Sequence, residues 1–142
     1  MHRIDLADFL LIAESHTGID AHQLARMDRV VQLAESALAA PFAGYGEVEL
    51  HPAFAGKAAI YASRILRYHP LPDGNKRTGY DVTVEFIERN GYRFEHPPGG
   101  LMETAEMIEN LAAEMITEEE FSAWLADRIT GPYSDEAPVD DG

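Results

Sequence analysis

The segment His69-Pro70-Leu71-Pro72-Asp73-Gly74-Asn75-Lys76-Arg77-Thr78 puts an imidazole, a carboxylate, a glycine, an amide and two cations within ten residues. Each type answers a need of phosphate chemistry. An imidazole titrates near neutrality, so His69 can take the proton of an attacking hydroxyl. Asp73 offers a hard oxygen to Mg2+, a cation that usually keeps several waters and is held by one or two carboxylates plus substrate phosphates. Gly74 permits a turn in which backbone N–H groups at the start of a helix converge on an anion, helped by the positive end of the helix dipole. Lys76 and Arg77 bring charge to phosphate oxygens, Arg77 through a planar fork. The same residues also make ordinary turn chemistry, with Asp73 or Asn75 capping the next helix, so residue type alone leaves both readings open. His2, His16, His22, His51 and His96 have no spaced partner and are expected at the surface or at caps.

The elements that would position this loop are helical. Apolar residues recur at helical spacing along the chain, and period-two alternation is nearly absent, which predicts an all-α bundle. A first helix is expected over residues 5–14, with Leu6, Phe9, Leu10 and Ala13 on one face and Gly18 as its stop. A second spans residues 20–39, interrupted near Met27 and ended by Pro41. The stretch 42–49, with Gly44, Tyr45 and Gly46 at its centre, reads as a small hairpin or loop that could act as a flap. Pro52 suits the first turn of a helix running to Tyr68, in which Phe54, Ala58, Tyr61, Ile65 and Tyr68 form a buried stripe and Lys57, Arg64 and Arg67 lie on other faces. Arg77 to Asn90 reads as the most buried helix, with a polar stripe at Asp81, Glu85 and Glu88. A loop over 92–100 follows, then a helix over 101–115. A capping box at Thr117 and Glu120 opens a last helix to Ile129. Residues 1–132 are expected to form a single domain, and 133–142 a disordered acidic tail.

Composition limits the function classes. The chain has 142 residues, no Cys and a formal charge of −14. The absence of Cys excludes a disulfide scaffold, a thiolate zinc site and a Cys nucleophile. The charge argues against a nucleic-acid binder, which needs Lys and Arg to neutralise phosphates. Seven of the eleven basic residues nevertheless fall between positions 57 and 93, against four acidic ones there, so a cleft in this region can still hold a small polyanion. The apolar runs are too short to span a bilayer and the opening residues lack the core of a signal peptide, so no membrane association and a cytoplasmic location are expected.

The loop resembles the signature of the Fic/Doc family, His-Pro-Phe-x-Asp/Glu-Gly/Ala-Asn-Gly/Lys-Arg, matching at His69, Pro70, Asp73, Gly74, Asn75, Lys76 and Arg77. Residues 37–42 before the flap, Lys57-Ala58-Ala59, and residues 86–92 after the motif also resemble Doc-type toxins of toxin–antitoxin pairs. The likeness is clearest over residues 30–129. It implies a compact helical bundle with a flap that holds a target segment as an extended strand, here through Gly44, Tyr45 and Gly46. It implies His69 as general base on a target hydroxyl, Asp73 as the Mg2+ ligand, and Gly74, Asn75, Lys76 and Arg77 around the phosphates of ATP. Members that transfer AMP usually have Gly in place of Lys76 and a second Arg three residues after the first. That place is Tyr80 here, which aligns the chain with the Doc branch, whose members are kinases that seat the nucleotide in reverse.

The resemblance further implies a Phd-type antitoxin as partner and a translation elongation factor as target. No inhibitory Ser/Thr-x-x-x-Glu-Gly/Asn stretch is present, because Thr104 precedes Glu109-Asn110 by one residue too many. Inhibition is therefore expected from another chain. Leu71 replaces the usual Phe, for which looser packing of the loop is expected without loss of the site, and Pro72 stiffens the approach to Asp73. Three other readings compete with phosphoryl transfer: adenylyl transfer on the same fold, an inactive binding or regulatory protein, and a metal hydrolase using His69, Asp73 and a distant His.

Overall fold

The computed structural model describes residues 1–133, so the expected acidic tail lies, but for Tyr133, outside the described residues. The elements run α1 Leu6–Thr17, α2 Ala21–Leu24, α3 Asp28–Ala39, a 3-10 turn Ala40–Phe42, β1 Gly44–Tyr45, β2 Val48–Glu49, α4 Phe54–Tyr68, α5 Asn75–Arg89, β3 Arg93–Phe94, α6 Gly100–Ala112, α7 Glu118–Ala126 and β4 Ile129–Thr130. Helices dominate, as the periodicity predicts. The strands form two antiparallel pairs, β1 with β2 and β3 with β4.

Local chemistry sets several of the helix ends. Asp5 and Asp8 form a reciprocal capping box at the start of α1, and Gly18 closes that helix at φ 73°. Thr117 and Glu120 cap α7 in the same reciprocal way. The expected second helix is two, α2 and α3, broken at Ala25 to Met27.

Helix α4 is the centre of the bundle and packs against α3, α5, α6 and α7. Its residues 57–63 are all buried, round the whole circumference. Three of them are alanines, which lets neighbouring helices approach closely. This corrects the expectation that α5 is the most buried helix: α5 leaves Lys76, Arg77 and Glu88 exposed, and Tyr80 and Val84 are only partly covered. Helix α4 also begins at Phe54, so Pro52 lies outside it. Helix α5 begins earlier than expected, at Asn75, and α7 ends at Ala126, short of Ile129. The 92–100 segment contains β3, paired with β4, an element too short for alternation to reveal.

Lys57 is the clearest departure. Helical spacing places it off the buried stripe, yet it is only 3% exposed. Its Nζ donates to Glu49 Oε1 at 2.7 Å and to the His51 carbonyl at 2.5 Å, and it lies 5.3 Å from the centre of the Phe42 ring. A buried ammonium is tolerable only when paired and hydrogen-bonded, and these acceptors supply both. They also tie the foot of the β1–β2 hairpin to α4. The hairpin itself is bare: Tyr45 and Val48 are 80% and 66% exposed. Gly44 is required in it, because a Cβ there would stand 2.2 Å from the Val48 carbonyl oxygen.

Helices α1 and α5 run antiparallel, pinned near both ends. At one end Arg89 donates to both carboxylate oxygens of Asp8, at 2.8 and 3.0 Å, and to Glu85 at 2.8 Å. At the other, His16 Nε2 lies 2.5 Å from Asp81 Oδ2. The hydrogen bonds from Arg89 hold the Asp8 carboxyl well below its ordinary value of 3.8, at about 2. A depressed carboxyl stabilises the fold above its unfolded value, and that contribution is lost as pH falls toward the folded one. Asp8→Asn should therefore cost about 1 kcal/mol in urea unfolding at pH 7, the partial exposure of the pair keeping the figure small. The deficit should shrink between about pH 4 and pH 2, and a deficit independent of pH over that range would show that the pair does not stabilise the fold in this way.

Candidate active site

The loop between α4 and α5 is built from both ends. At its start, His69 caps α4 in the left-handed region, at φ 50° and ψ 56°, with its N–H donating to the Ile65 carbonyl at 3.0 Å. That conformation is uncommon for a residue with a side chain, and His is among those that enter it most readily. Arg29 of α3 donates to the His69 carbonyl at 3.1 Å, so a third helix holds this corner. Beyond it Pro70 and Leu71 turn inward, and Leu71 is fully buried. The smaller side chain still anchors the loop in the core.

At its end the loop is closed by Asn75. The Leu71 N–H donates to Asn75 Oδ1 at 3.0 Å, and Asn75 Nδ2 donates to the Leu71 carbonyl at 2.9 Å. Asn75 is 4% exposed. Its amide is therefore engaged with the loop, and what it can offer a phosphate is its backbone N–H. Gly74 precedes it at φ 77°, and a Cβ there would lie 3.1 Å from the His16 carbonyl oxygen. The site thus needs glycine both for the turn and for the approach of α1. Helix α5 then starts at Asn75, and its first internal hydrogen bond from the loop runs from the Thr78 N–H to the Gly74 carbonyl, at 3.0 Å. The N–H groups of Asn75, Lys76 and Arg77 point out of the helix end without helical partners.

These residues line one cavity of about 750 Å3, whose walls include His69, Asp73, Gly74, Asn75, Lys76 and Arg77. The flap residues Gly44, Tyr45 and Gly46 are not among its walls. His69, Asp73, Lys76 and Arg77 are exposed to it. Among the described residues neither Asp73 nor Arg77 has an ion-pair or side-chain hydrogen-bond partner, whereas Lys76 is paired with Glu109 of α6. The arrangement can hold an anion over a helix start, with an imidazole and a carboxylate on the same rim.

Sequence reading misses two members of this surface. His16, expected to be an isolated surface or capping residue, lies on the cavity wall with its carbonyl against Gly74 and its ring on Asp81. Glu109 is on the wall through its pair with Lys76. Both depend on partners far away in sequence. The regular helical positions of Glu109 and Asp81 carry no local signal of these contacts.

The model of the Fic/DOC family matches residues 4–87, more than half of the chain and including the whole loop. The chain belongs to the Fic/DOC family. The match takes in α1, which the sequence likeness covers least securely, and it ends within α5. No curated protein and no solved structure matches the chain. Members of this family in general transfer nucleotide-derived groups onto proteins.

Two variants test the geometry. Asn75→Ala leaves the buried N–H and carbonyl of Leu71 without partners and should cost about 2–4 kcal/mol in denaturant unfolding, and a loss below about 1 kcal/mol would show that the amide does not hold the loop. Glu109→Gln frees Lys76 at the cavity rim. Because that pair is largely exposed, its release should strengthen binding of inorganic triphosphate by about two- to fivefold at low salt, measured by calorimetry, and unchanged or weaker binding would show that Lys76 does not meet the anion.

Proposed function

We propose that this chain is a Doc-type toxin, which transfers the γ-phosphate of ATP to a hydroxyl of a protein target, a translation elongation factor, and is neutralised by a Phd-type antitoxin. The observation that carries the reading is Lys76 at the start of α5, on the wall of the cavity that also holds His69 and Asp73. In place of the open backbone that a glycine would leave, the helix start carries an added cation. The place of a second Arg is taken by Tyr80, which points the chain away from adenylyl transfer.

In this reading the oxygen of the target hydroxyl attacks the γ-phosphorus, the bond from that phosphorus to the β,γ-bridging oxygen breaks, and ADP leaves. The hydroxyl proton passes to His69, which the cap of α4 and the bond from Arg29 hold at the cavity rim. The N–H groups of Asn75, Lys76 and Arg77, with the side chains of the last two, hold the phosphates. Asp73 fits a Mg2+ ligand: it is exposed to the cavity and has no protein partner among the described residues. Among the described residues no group of three or more His, Asp or Glu could hold a metal alone, which suits a cation held by one carboxylate, waters and phosphates. Bound there, it would neutralise phosphate charge.

The bare β1–β2 hairpin supports the target side of the reading. Its short exposed edge suits an extended segment added by main-chain hydrogen bonds, with Tyr45 and Val48 on its surface. Exposed Leu11, Met102 and Met115 support an amphipathic antitoxin segment as partner. Among the described residues no helix is long and apolar enough to cross a membrane.

Incubated with an elongation factor, Mg2+ and γ-labelled ATP, the chain should transfer label and add about 80 Da per modified side chain, the mass of one phosphoryl group. His69→Ala should lower the rate by about 10²–10⁴-fold. Transfer of α-label with an AMP-sized mass increase would assign the chain to the adenylyl-transferring members instead. Full activity of His69→Ala would remove His69 as the base.

A further inference from the structure

Residues 44–50, the projecting part of the β1–β2 hairpin, are all exposed, so burial against the bundle does not set its direction. Its own ladder is short. Gly44 faces Glu49, Tyr45 faces Val48, and the Leu50 N–H donates to the Ala43 carbonyl at 3.0 Å. These bonds hold the two strands together without fixing where the hairpin points. Among the described residues, the hydrogen bonds that reach its exit from another element come from Lys57 of α4, whose Nζ donates to Glu49 Oε1 and to the His51 carbonyl. The same ammonium donates to the Pro41 carbonyl at 3.5 Å, on the entry side. Both legs of the hairpin therefore converge on one side chain.

The entry leg has an anchor of its own. The Phe42 ring stands edge-on to Tyr61 and to Phe86, at 6.1 Å between centres in each case, and the Arg3 guanidinium lies 4.0 Å from its centre. The exit leg has no such aromatic seat, and Lys57 carries the fixed position of the entry across to it. A charge is a costly way to fill this place. Methionine has similar length and would bury there with no ammonium to desolvate. What methionine lacks is the ability to donate to acceptors on both legs at once. Resting on the proposed docking of the target on the hairpin, we propose that Lys57 is a positioning residue for the protein substrate. Its buried ammonium sets the direction of the hairpin and so the seat of the target segment.

The effect belongs to target binding and not to the chemical step. Lys57 is not among the walls of the cavity over the loop, so it touches neither the phosphate site nor His69. Without its bonds the hairpin would sample several directions, of which only one accepts the target in reach of His69. Apparent affinity falls in proportion to the fraction of molecules in the competent arrangement, while the complex that does form is unaltered. A hairpin correctly placed in about one molecule in ten raises the KM for the target about tenfold and leaves kcat in place.

Two variants of the full chain test this. Lys57→Met removes the donor and keeps the bulk, and the carboxylate it releases, Glu49, is 53% exposed, so no charge is left buried. Glu49→Ala cuts the same tether from the exposed side. Amide hydrogen exchange over residues 44–50 is read beside KM and kcat for the elongation factor and Mg-ATP affinity by calorimetry. Lys57→Met should quicken exchange in the hairpin and raise KM, each by about tenfold, with kcat and ATP affinity within about twofold of wild type. Glu49→Ala should act in the same direction by about threefold. If Lys57→Met fails to fold, Glu49→Ala decides: a raised KM supports the proposal and an unchanged one overturns it. Unchanged exchange in the hairpin shows that Lys57 does not direct it, while the proposed docking stands. Faster exchange with unchanged KM shows that the target does not dock on the hairpin, and both ideas fail. If wild type modifies no protein, the proposed function itself fails, and this inference with it.

Discussion

The reciprocal pair of hydrogen bonds between the Asn75 amide and the Leu71 backbone is the constraint on which the site depends. It closes the loop around a fully buried leucine and fixes where α5 begins. From that point the geometry follows. Gly74 must take a left-handed turn against α1, the first N–H groups of α5 open into the cavity, and His69 leaves α4 on the same rim. Without the clamp the two helices could still pack, but the imidazole and the helix start would have no fixed relation.

Helices α1 and α5 carry this local order into the bundle. Their antiparallel packing is pinned by Asp8 with Arg89 at one end and by His16 with Asp81 at the other. The second tie lies at the site, so the contact that completes the helix pair also shapes the cavity wall. Charge is arranged with similar economy. In a chain of formal charge −14, the cations near the loop sort into those already engaged and one without a protein partner among the described residues. Lys57 is buried under the flap, Arg64 is paired with Glu118, and Lys76 is paired with Glu109. Arg77 is the one left.

The sequence is most legible where structure is set locally. The Gly18 stop and the capping box at Thr117 each depend on residues a few places apart, and each appears where the spacing predicts, whereas the helix after the His69 loop begins two residues earlier than expected. What periodicity misreads depends on distant partners. Lys57 is buried because Glu49 and the His51 carbonyl meet it, and a helical wheel contains neither. His16 and Glu109 enter the cavity wall through Asp81 and Lys76, 65 and 33 residues away. Asn75 is read as a phosphate ligand from its place in the motif, yet its side chain holds the loop together. The distinction needs the Leu71 backbone, whose position no residue type reveals.

The central claim is that the start of α5 is the phosphate site and that His69 stands beside it. A crystal structure of the chain with Mg2+ and a non-hydrolysable ATP analogue tests this most directly. The account predicts phosphate oxygens within hydrogen-bond distance of the backbone N–H groups of Asn75, Lys76 and Arg77, with His69 next to the terminal phosphate. A nucleotide bound with its phosphates elsewhere on the chain, and those N–H groups left to solvent, would contradict it.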